Sequence, residues 1–409
     1  MRITFLTQYF PPEVGAPQGR MYELARRLVA AGHDVTVVTA FPNYPDGVIQ
    51  EGYRGRSSME EHMDGIRVLR TWVFATPNRG FFKRILNHFS FTFSCLTAIR
   101  KLGPTDVIFV QSPPLFIGFG TRIYSMVKKA PYVFNVSDIW PQSAIELGML
   151  KNPIAIRMAE MLERHLYKHA AFVTVPVPGM VERLARRGIP RDKVVLLTNG
   201  VDTEVFSPRP PDRKLAKELG LDGSKVFLFA GTHGLAQGLD VILDAAKLTD
   251  DPDILYVLAG DGARKAALVE RAEKEKIGNV RFLPSQPRSA MPSLLNLAYA
   301  SLITLKRGDF FRSTLPVKMY ESMASAQPIV GAVWGEAADL ISSAGCGVLA
   351  EPEDAESVVK AVALLAADPK QARRMGDLGR EYVVEHYNRK DIAVRLEKLL
   401  REAVEKQRR

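Results

Sequence analysis

Cysteine is scarce: 409 residues hold only Cys95 and Cys346. They lie most of the chain apart, neither with a neighbour at metal-ligand spacing, which points to a reduced, cytosolic protein without a thiolate metal site. Low-complexity tracts are missing too. With 46% hydrophobic and 24% charged residues, the chain can bury enough apolar surface to offset its conformational entropy, so general disorder is excluded. No signal-peptide hydrophobic region fits before Pro11 and Pro12, because Arg2–Thr7 already reads as a strand. Ile85 to Ile99 is uncharged for fifteen residues, short of the about 20 that a membrane span needs. There is no short internal repeat of the solenoid kind.

Length and charge say more. A chain of 409 residues exceeds what one hydrophobic core usually supports, so two domains are expected. The net charge of +10 lies entirely in the first half: residues 1–198 carry 25 Lys+Arg against 15 Asp+Glu, and residues 199–409 carry 30 of each. A basic half implies an anionic partner, whether phosphate, nucleic acid or an acidic membrane. Nucleic acid is disfavoured, since the basic residues are dispersed without a helix-turn-helix or stacking-sheet signature.

Apolar β-branched runs alternate with amphipathic helical stretches. Strands are predicted at Arg2–Thr7, Asp34–Ala40, Asp106–Val110, Tyr132–Val136, Phe172–Val175 and Lys193–Leu197, with helices such as Gln18–Ala31 between them. The pattern restarts after Asn199-Gly200-Val201-Asp202 and the proline-rich Ser207–Pro211, with strands at Val226–Ala230, Ile254–Ala259, Val280–Leu283, Leu302–Leu305, Pro328–Gly331 and Gly347–Leu349. Strand-helix alternation of this kind argues for two doubly wound α/β domains, each a parallel sheet covered by helices. The tail from Ala363 to Arg409 is helical in pattern, broken at Glu385–Arg389.

Several segments could carry chemistry. Gln8–Arg20, which includes Gly15, is a glycine-containing loop between strand and helix. Phe229–Gly238, with three glycines, is a second. Each places backbone N–H groups and a helix dipole where an anion could sit, though a plain strand-to-helix turn has the same spacing and neither is G-x-G-x-x-G. His233 has no His or Cys partner at ligand spacing and reads as a loop residue. Asp138 follows the strand Tyr132–Val136, where a carboxylate orients a hydroxyl, acts as a base or caps a helix. Phe82, Ile85, Leu86, Phe89, Phe93 and Leu96 share a helical face flanked by Lys83, Arg84, Arg100 and Lys101, which suits an interfacial helix on anionic lipid or a buried core helix. Lys318 and Glu321 stand three residues apart on a short helix after Pro316, as a ligand clamp or an exposed ion pair.

In their order and spacing these loops resemble a retaining glycosyltransferase of family 4, with the GT-B fold. The resemblance rests on the proline-glycine loop after the first strand, Asn199–Asp202, Gly260-Asp261-Gly262, the helix Pro316–Pro328, and Gly376–Tyr387. Tyr9–Glu13, Phe41–Pro45, Asp138–Pro141, Ala236-Gln237-Gly238 and Lys318 before Glu321 are most similar to the branch that transfers amino-deoxy sugars to lipid-linked acceptors in bacterial surface polysaccharide synthesis. The resemblance implies two Rossmann-like domains facing a central cleft: 1–198 for the acceptor, 199–386 for the donor, and a helix 387–409 crossing back to the first domain. It implies a UDP-sugar donor, no cofactor and no metal. It puts Glu321 on the donor ribose, a role that suits a carboxylate accepting from two vicinal hydroxyls, and Gly15, Thr232, Gly234, Gln237, Ser313 and Thr314 around the donor. Arg20, Asn43 and Tyr44 would meet the acceptor, Asp138 would be catalytic, and Lys83, Arg84, Phe89 and Phe93 would touch the cytoplasmic face of the membrane.

Departures from the family pattern are equally informative. Thr232 and Gln237 stand where an Arg and a Lys commonly neutralise the donor diphosphate, Ser313 replaces the first of two glutamates, and Ser137 stands at the position of a frequent histidine. Another cation is then needed at the diphosphate. Lys318 is the foremost candidate, as a point charge near a helix start, with Lys306, Arg307 and Arg312 in reserve. The expected partners are therefore a UDP-sugar and a lipid-linked saccharide at the membrane surface. A soluble acceptor, or nucleotide-sugar binding without turnover, are the alternatives.

Overall fold

The computed structural model describes residues 1–408 apart from Val14, Pro45, residues 77–80 and Leu147, together with the side chains of Phe81 and Phe310. Val14 and Pro45 of the loops quoted above, and Arg409, therefore lie outside the described residues. The chain forms two compact units: Met1–Asn199 with Lys390–Arg409, and Gly200–Arg389.

The first unit is built on β1 (Arg2–Leu6), β2 (Asp34–Ala40), β3 (Ser58–Met63), β4 (Ile66–Thr71), β5 (Val107–Ser112), β6 (Tyr132–Val136), β7 (Phe172–Val175) and β8 (Val194–Leu196), ordered β3-β4-β2-β1-β5-β6-β7-β8. Phe5 lies in register with Val37 on one side and Phe109 on the other. Every residue of β5 is buried, as expected for a parallel strand with helices on both faces. One strand departs from the parallel expectation. β3 runs antiparallel to β4, Met63 opposite Ile66, through Asp64-Gly65 at φ 46° and 80°. A two-residue hairpin of this kind requires positive φ at both positions, for which Asp-Gly is the favoured dipeptide.

The second unit carries β9 (Lys225–Ala230), β10 (Ile254–Ala259), β11 (Val280–Leu283), β12 (Ala300–Thr304), β13 (Ile329–Ala332) and β14 (Gly347–Ala350), all parallel, ordered β11-β10-β9-β12-β13-β14. Its core gathers Phe227, Phe229, Ile242, Tyr256, Leu258 and Leu302.

The polar break in the tail is real: one helix ends at His386 and the last begins at Arg389. Ile392, Leu396, Leu400 and Ala403 of that last helix recur on one face and are buried in the first unit's core with Phe5, Leu24 and Val37. On its flank, His33 Nε2 lies 3.0 Å from Glu397 Oε1, and the Met1 amino group lies 3.1 Å from His33 Nδ1.

Candidate functional site

In an open parallel sheet, ligands gather at the strands' carboxyl ends where the strand order reverses. In the second unit the reversal falls between β9 and β12. The loop after β9 is Gly231–Gly238, and the segment after β12 leads into the helix Val317–Ala324. Both were legible in the sequence.

Backbone packing makes the β9 loop compact. A Cβ on Gly260 would fall 1.9 Å from the Gly231 carbonyl oxygen, and one on Gly262 2.5 Å from that of His233. Both glycines have φ that side chains rarely adopt, 145° and 155°. Gly260→Ala is therefore expected to cost on the order of 3 kcal/mol of unfolding free energy, read by thermal denaturation against Gly278→Ala, whose Cβ meets nothing within 4 Å. Equal melting of the two variants would refute the close approach.

Lys318 does not pair with Glu321 in a surface salt bridge. Side chains early in a helix lean back towards its N-terminus, and the Lys318 ammonium sits 3.6 Å from the centroid of the Phe229 ring. It comes within 2.9 Å of the place where a Gly231 Cβ would be. Burial pushes its pKa down to about 7, with Glu321 pulling it back up. Glu321, only 9% exposed, accepts instead from Arg288 Nη1 at 2.9 Å, and that guanidinium also lies 5.3 Å over the Phe206 ring. No sequence signal marks Arg288, since the fold alone brings it across 33 positions.

His233 is fully buried, 5.8 Å from the Phe229 ring. Burial, then Lys265 and Lys318, lower its pKa to about 4, so it is neutral at pH 7. Thr232 is exposed, Gly234 and Gln237 half-buried, and the Gln237 carbonyl accepts from Thr304 Oγ1 at 2.7 Å. Ser313 and Thr314 are half-buried, with Thr314 N–H donating to Phe311 O at 3.1 Å. Of the reserve cations, Arg307 is paired with Glu351 at 2.7 Å and Arg312 lies 4.8 Å over Trp334. Lys306 packs its Cγ 3.2 Å from where a Gly238 Cβ would sit.

In the first unit the order reverses between β1 and β5. Gly15 precedes the helix α1 (Ala16–Ala30). Glu13, to which the sequence assigned no role of its own, organises this loop: its buried carboxylate accepts the N–H groups of Asn43 and Tyr44 at 2.8 Å each and of Phe10 at 3.3 Å. Burial still raises its pKa to about 7. Tyr44 meets Tyr9 edge-on at 5.7 Å. Arg20 is buried, donating to Asn135 Oδ1 at 3.0 Å and Ser137 Oγ at 3.3 Å. Its guanidinium thus braces the carboxyl end of β6.

Asp138, just past β6, is half-buried. Burial lifts its pKa to about 6, opposed by hydrogen bonds from the Ser143 side chain and the Ile139 backbone. The helix α2 (Phe81–Ser94) stands over the same end of the sheet. His88 Nδ1 lies 2.8 Å from Gln8 Oε1, and burial, then the charge of Arg84, take its pKa down to about 3. The Arg84 charge also acts on Tyr9, Tyr44 and Asp138, so Arg84 belongs to this group. Lys83, Phe89 (37%) and Phe93 (56%) face outward. Among the described residues no helix is long and apolar enough to cross a membrane.

Two Rossmann-like units, each with a glycine-bearing loop at its switch point, define the class of fold as GT-B. Residues 15–200 match the Glycosyl transferase 4-like domain and residues 212–382 the Glycosyl transferases group 1 model. The chain belongs to glycosyltransferase family 4. It is 27% identical over 395 residues to a putative colanic acid biosynthesis glycosyl transferase, WcaI, of Escherichia coli, covering 93% of this chain and 95% of that protein. Among solved structures it is similar in fold to sucrose-phosphate synthase from Thermosynechococcus elongatus, with TM-score 0.77 at 18% identity over 98% of this chain and 99% of that one. It is similar also to HepE of Anabaena in complex with UDP-glucose, with TM-score 0.75 at 17% identity over 98% and 100%.

Proposed function

We propose that the protein transfers a sugar, an N-acetylated amino sugar, from a UDP-sugar to a polyprenyl-diphosphate-linked saccharide at the cytoplasmic face of the membrane, with retention of configuration. The observation that carries the donor half is the Lys318 ammonium lodged beside the Gly231 loop, one helical turn from the Glu321 carboxylate. In this reading Glu321 accepts from the ribose hydroxyls and Lys318 meets the diphosphate, doing the work that Thr232 and Gln237 cannot. The solved relative binds UDP-glucose, and WcaI is named for colanic acid biosynthesis. Both support the donor class and a role in surface polysaccharide.

The sugar C1–O bond to the β-phosphate breaks while a C1–O bond to the acceptor forms on the same face, and the acceptor's proton passes to the departing phosphate oxygen. The protein's part is positioning and charge stabilisation, with Asp138 orienting an acceptor hydroxyl and no metal among the reactants. The donor domain in this reading is 199–386 and the acceptor domain 1–198, completed by 387–409. Purified protein with cell membranes should release UDP from one UDP-N-acetylamino sugar. A complete panel of UDP-sugars without UDP release would refute the proposal.

Membrane contact falls to Lys83, Arg84, Phe89 and Phe93. Replacing the two cations with alanine and the two phenylalanines with serine is expected to cut sedimentation with anionic vesicles at least tenfold, since aromatic burial and phosphate attraction act together at an interface. Unchanged sedimentation would favour a soluble acceptor.

Lys318 also gives the donor step a proton signature. At pH 8 an ammonium with pKa near 7 is mostly neutral, and a diphosphate beside it raises that pKa. Donor binding at pH 8 should then take up close to one proton, and at pH 6 almost none. Calorimetry in buffers of different ionisation enthalpy reads this directly, and identical heats in all buffers at pH 8 would remove Lys318 from the diphosphate.

A further inference from the structure

The helix α2 turns several polar side chains inward and several aromatic ones outward. Its polar side chains turn towards the protein: Asn87 Nδ2 donates to Phe74 O at 2.8 Å, Ser90 Oγ accepts from Phe74 N–H at 2.8 Å, and Ser94 Oγ donates to Trp72 O. Phe91 packs inward and is fully buried, but Leu86, Phe89 and Phe93 turn outward, 52%, 37% and 56% exposed. The helix α3 (Ile117–Lys128) continues this surface with Phe119, Met126 and Val127, 46%, 53% and 57% exposed. Neighbouring exposed apolar side chains of this kind on the surface of one unit mark an interaction site.

The patch also leads inward. Phe119 meets Phe93 at 6.2 Å, Phe93 stacks on Phe89 at 6.5 Å, Phe89 lies 4.2 Å from Phe116, and Phe116 lies 5.2 Å from Trp140. The first three rings are exposed and the last two half-buried. This ladder ends two residues from Asp138. A flat bilayer surface reaches the outer rings and leaves the inner ones untouched, whereas a single flexible chain can follow the ladder to its end. Neither α2 nor α3 carries an acidic residue, and Lys83 and Arg84 sit at the α2 start, so the surface complements an anionic head group.

We propose that the ladder Phe119–Phe93–Phe89–Phe116–Trp140 is a track for one isoprenoid chain, which holds the diphosphate of a lipid-linked acceptor beside Arg84 and its saccharide towards Asp138. The track rests on the lipid-linked-acceptor reading above and names the part of the acceptor that this chain would recognise. Branched isoprenoid methyl groups pack on aromatic faces, so affinity rises with each added isoprene unit that finds a ring.

The test uses the full-length protein and four probes below their micelle concentrations: inorganic diphosphate, farnesyl diphosphate, geranylgeranyl diphosphate, and hexadecyl diphosphate as a straight chain of matched length. Binding is followed by isothermal titration calorimetry, whose signal does not depend on Trp140. Wild type is expected to bind geranylgeranyl diphosphate at least tenfold more tightly than farnesyl diphosphate, and inorganic diphosphate most weakly. Trp140→Leu, and separately the exposed Phe119→Ser, should shrink the geranylgeranyl advantage below threefold with inorganic diphosphate unchanged. The proposal is overturned by equal affinity for all probes, by hexadecyl diphosphate matching geranylgeranyl diphosphate, or by a chain-length advantage that survives in both variants while vesicle binding falls. In the last outcome the surface only rests on a membrane. No nucleotide enters this test, so intact UDP release with failed chain recognition overturns the track alone, whereas absent UDP release overturns the transferase reading instead.

Discussion

Glu321→Ala is expected to weaken nucleotide-sugar binding at least about a hundredfold. Two hydrogen bonds from ribose hydroxyls to a carboxylate are each worth about 1.5–3 kcal/mol, and a factor of ten corresponds to about 1.4 kcal/mol. The loss is compounded because Arg288 now spends a bond on Glu321 at 2.9 Å, and a half-buried guanidinium without its carboxylate opposes reordering of the site. Glu321→Gln keeps the shape and one acceptor oxygen, so it should recover part of the affinity. Titration of both variants with the donor that wild type prefers decides the matter. Wild-type affinity in Glu321→Ala would place the ribose elsewhere.

Lys318→Met is the second large effect, and it separates function from structure. Removing the ammonium that reaches the Gly231 position should lower kcat by about two to three orders of magnitude, the usual loss when a group that stabilises developing charge is deleted. The fold should not suffer. Methionine fills the space over Phe229 with an apolar chain, and burial disfavours the ammonium it replaces. The sign follows from linkage: Lys318 in the folded protein titrates near 7, below its ordinary 10.5, so the unfolded chain holds that proton more tightly. Its penalty is fully present below pH 7 and fades as pH rises towards 10.5. Lys318→Met should therefore melt higher than wild type at pH 6 and converge with it at high pH, while turnover is lost throughout. Lys306→Met should leave turnover within about threefold, because its stem packs against Gly238 and the proposed donor site gives the diphosphate to Lys318. Comparable turnover in wild type and Lys318→Met would assign the phosphate to another cation.

How far these sites could be read from sequence depended on whether the signal was local. Tyr132–Val136, Phe172–Val175, Ile254–Ala259 and Val280–Leu283 coincide with observed strands, because a buried parallel strand is a continuous apolar run bounded by turns. Ser58–Met63 was missed. Its sequence, Ser-Met-Glu-Glu-His-Met, is mostly polar and only partly buried at the sheet edge, and the local clue was the Asp64-Gly65 turn. The glycine loops were found since strand, glycines and helix adjoin in the chain. Arg288 on Glu321, and His88 on Gln8 across 80 positions, were invisible because tertiary packing alone brings them together. The Lys318–Glu321 spacing was legible and its geometry was not: three residues apart fixes a shared helix face, while the rotamer that sends Lys318 to Phe229 depends on the cavity beside Gly231.

The second unit, as proposed, holds a nucleotide-sugar diphosphate between Lys318 and Glu321. This is tested most directly by isothermal titration of wild type with a panel of UDP-, GDP-, ADP- and TDP-sugars at pH 8, repeated in two buffers of different ionisation enthalpy. Saturable binding of a UDP-sugar with one site per chain and uptake of close to one proton are the expected result. No binding by any member of the panel, or binding whose heat is the same in both buffers, would contradict it.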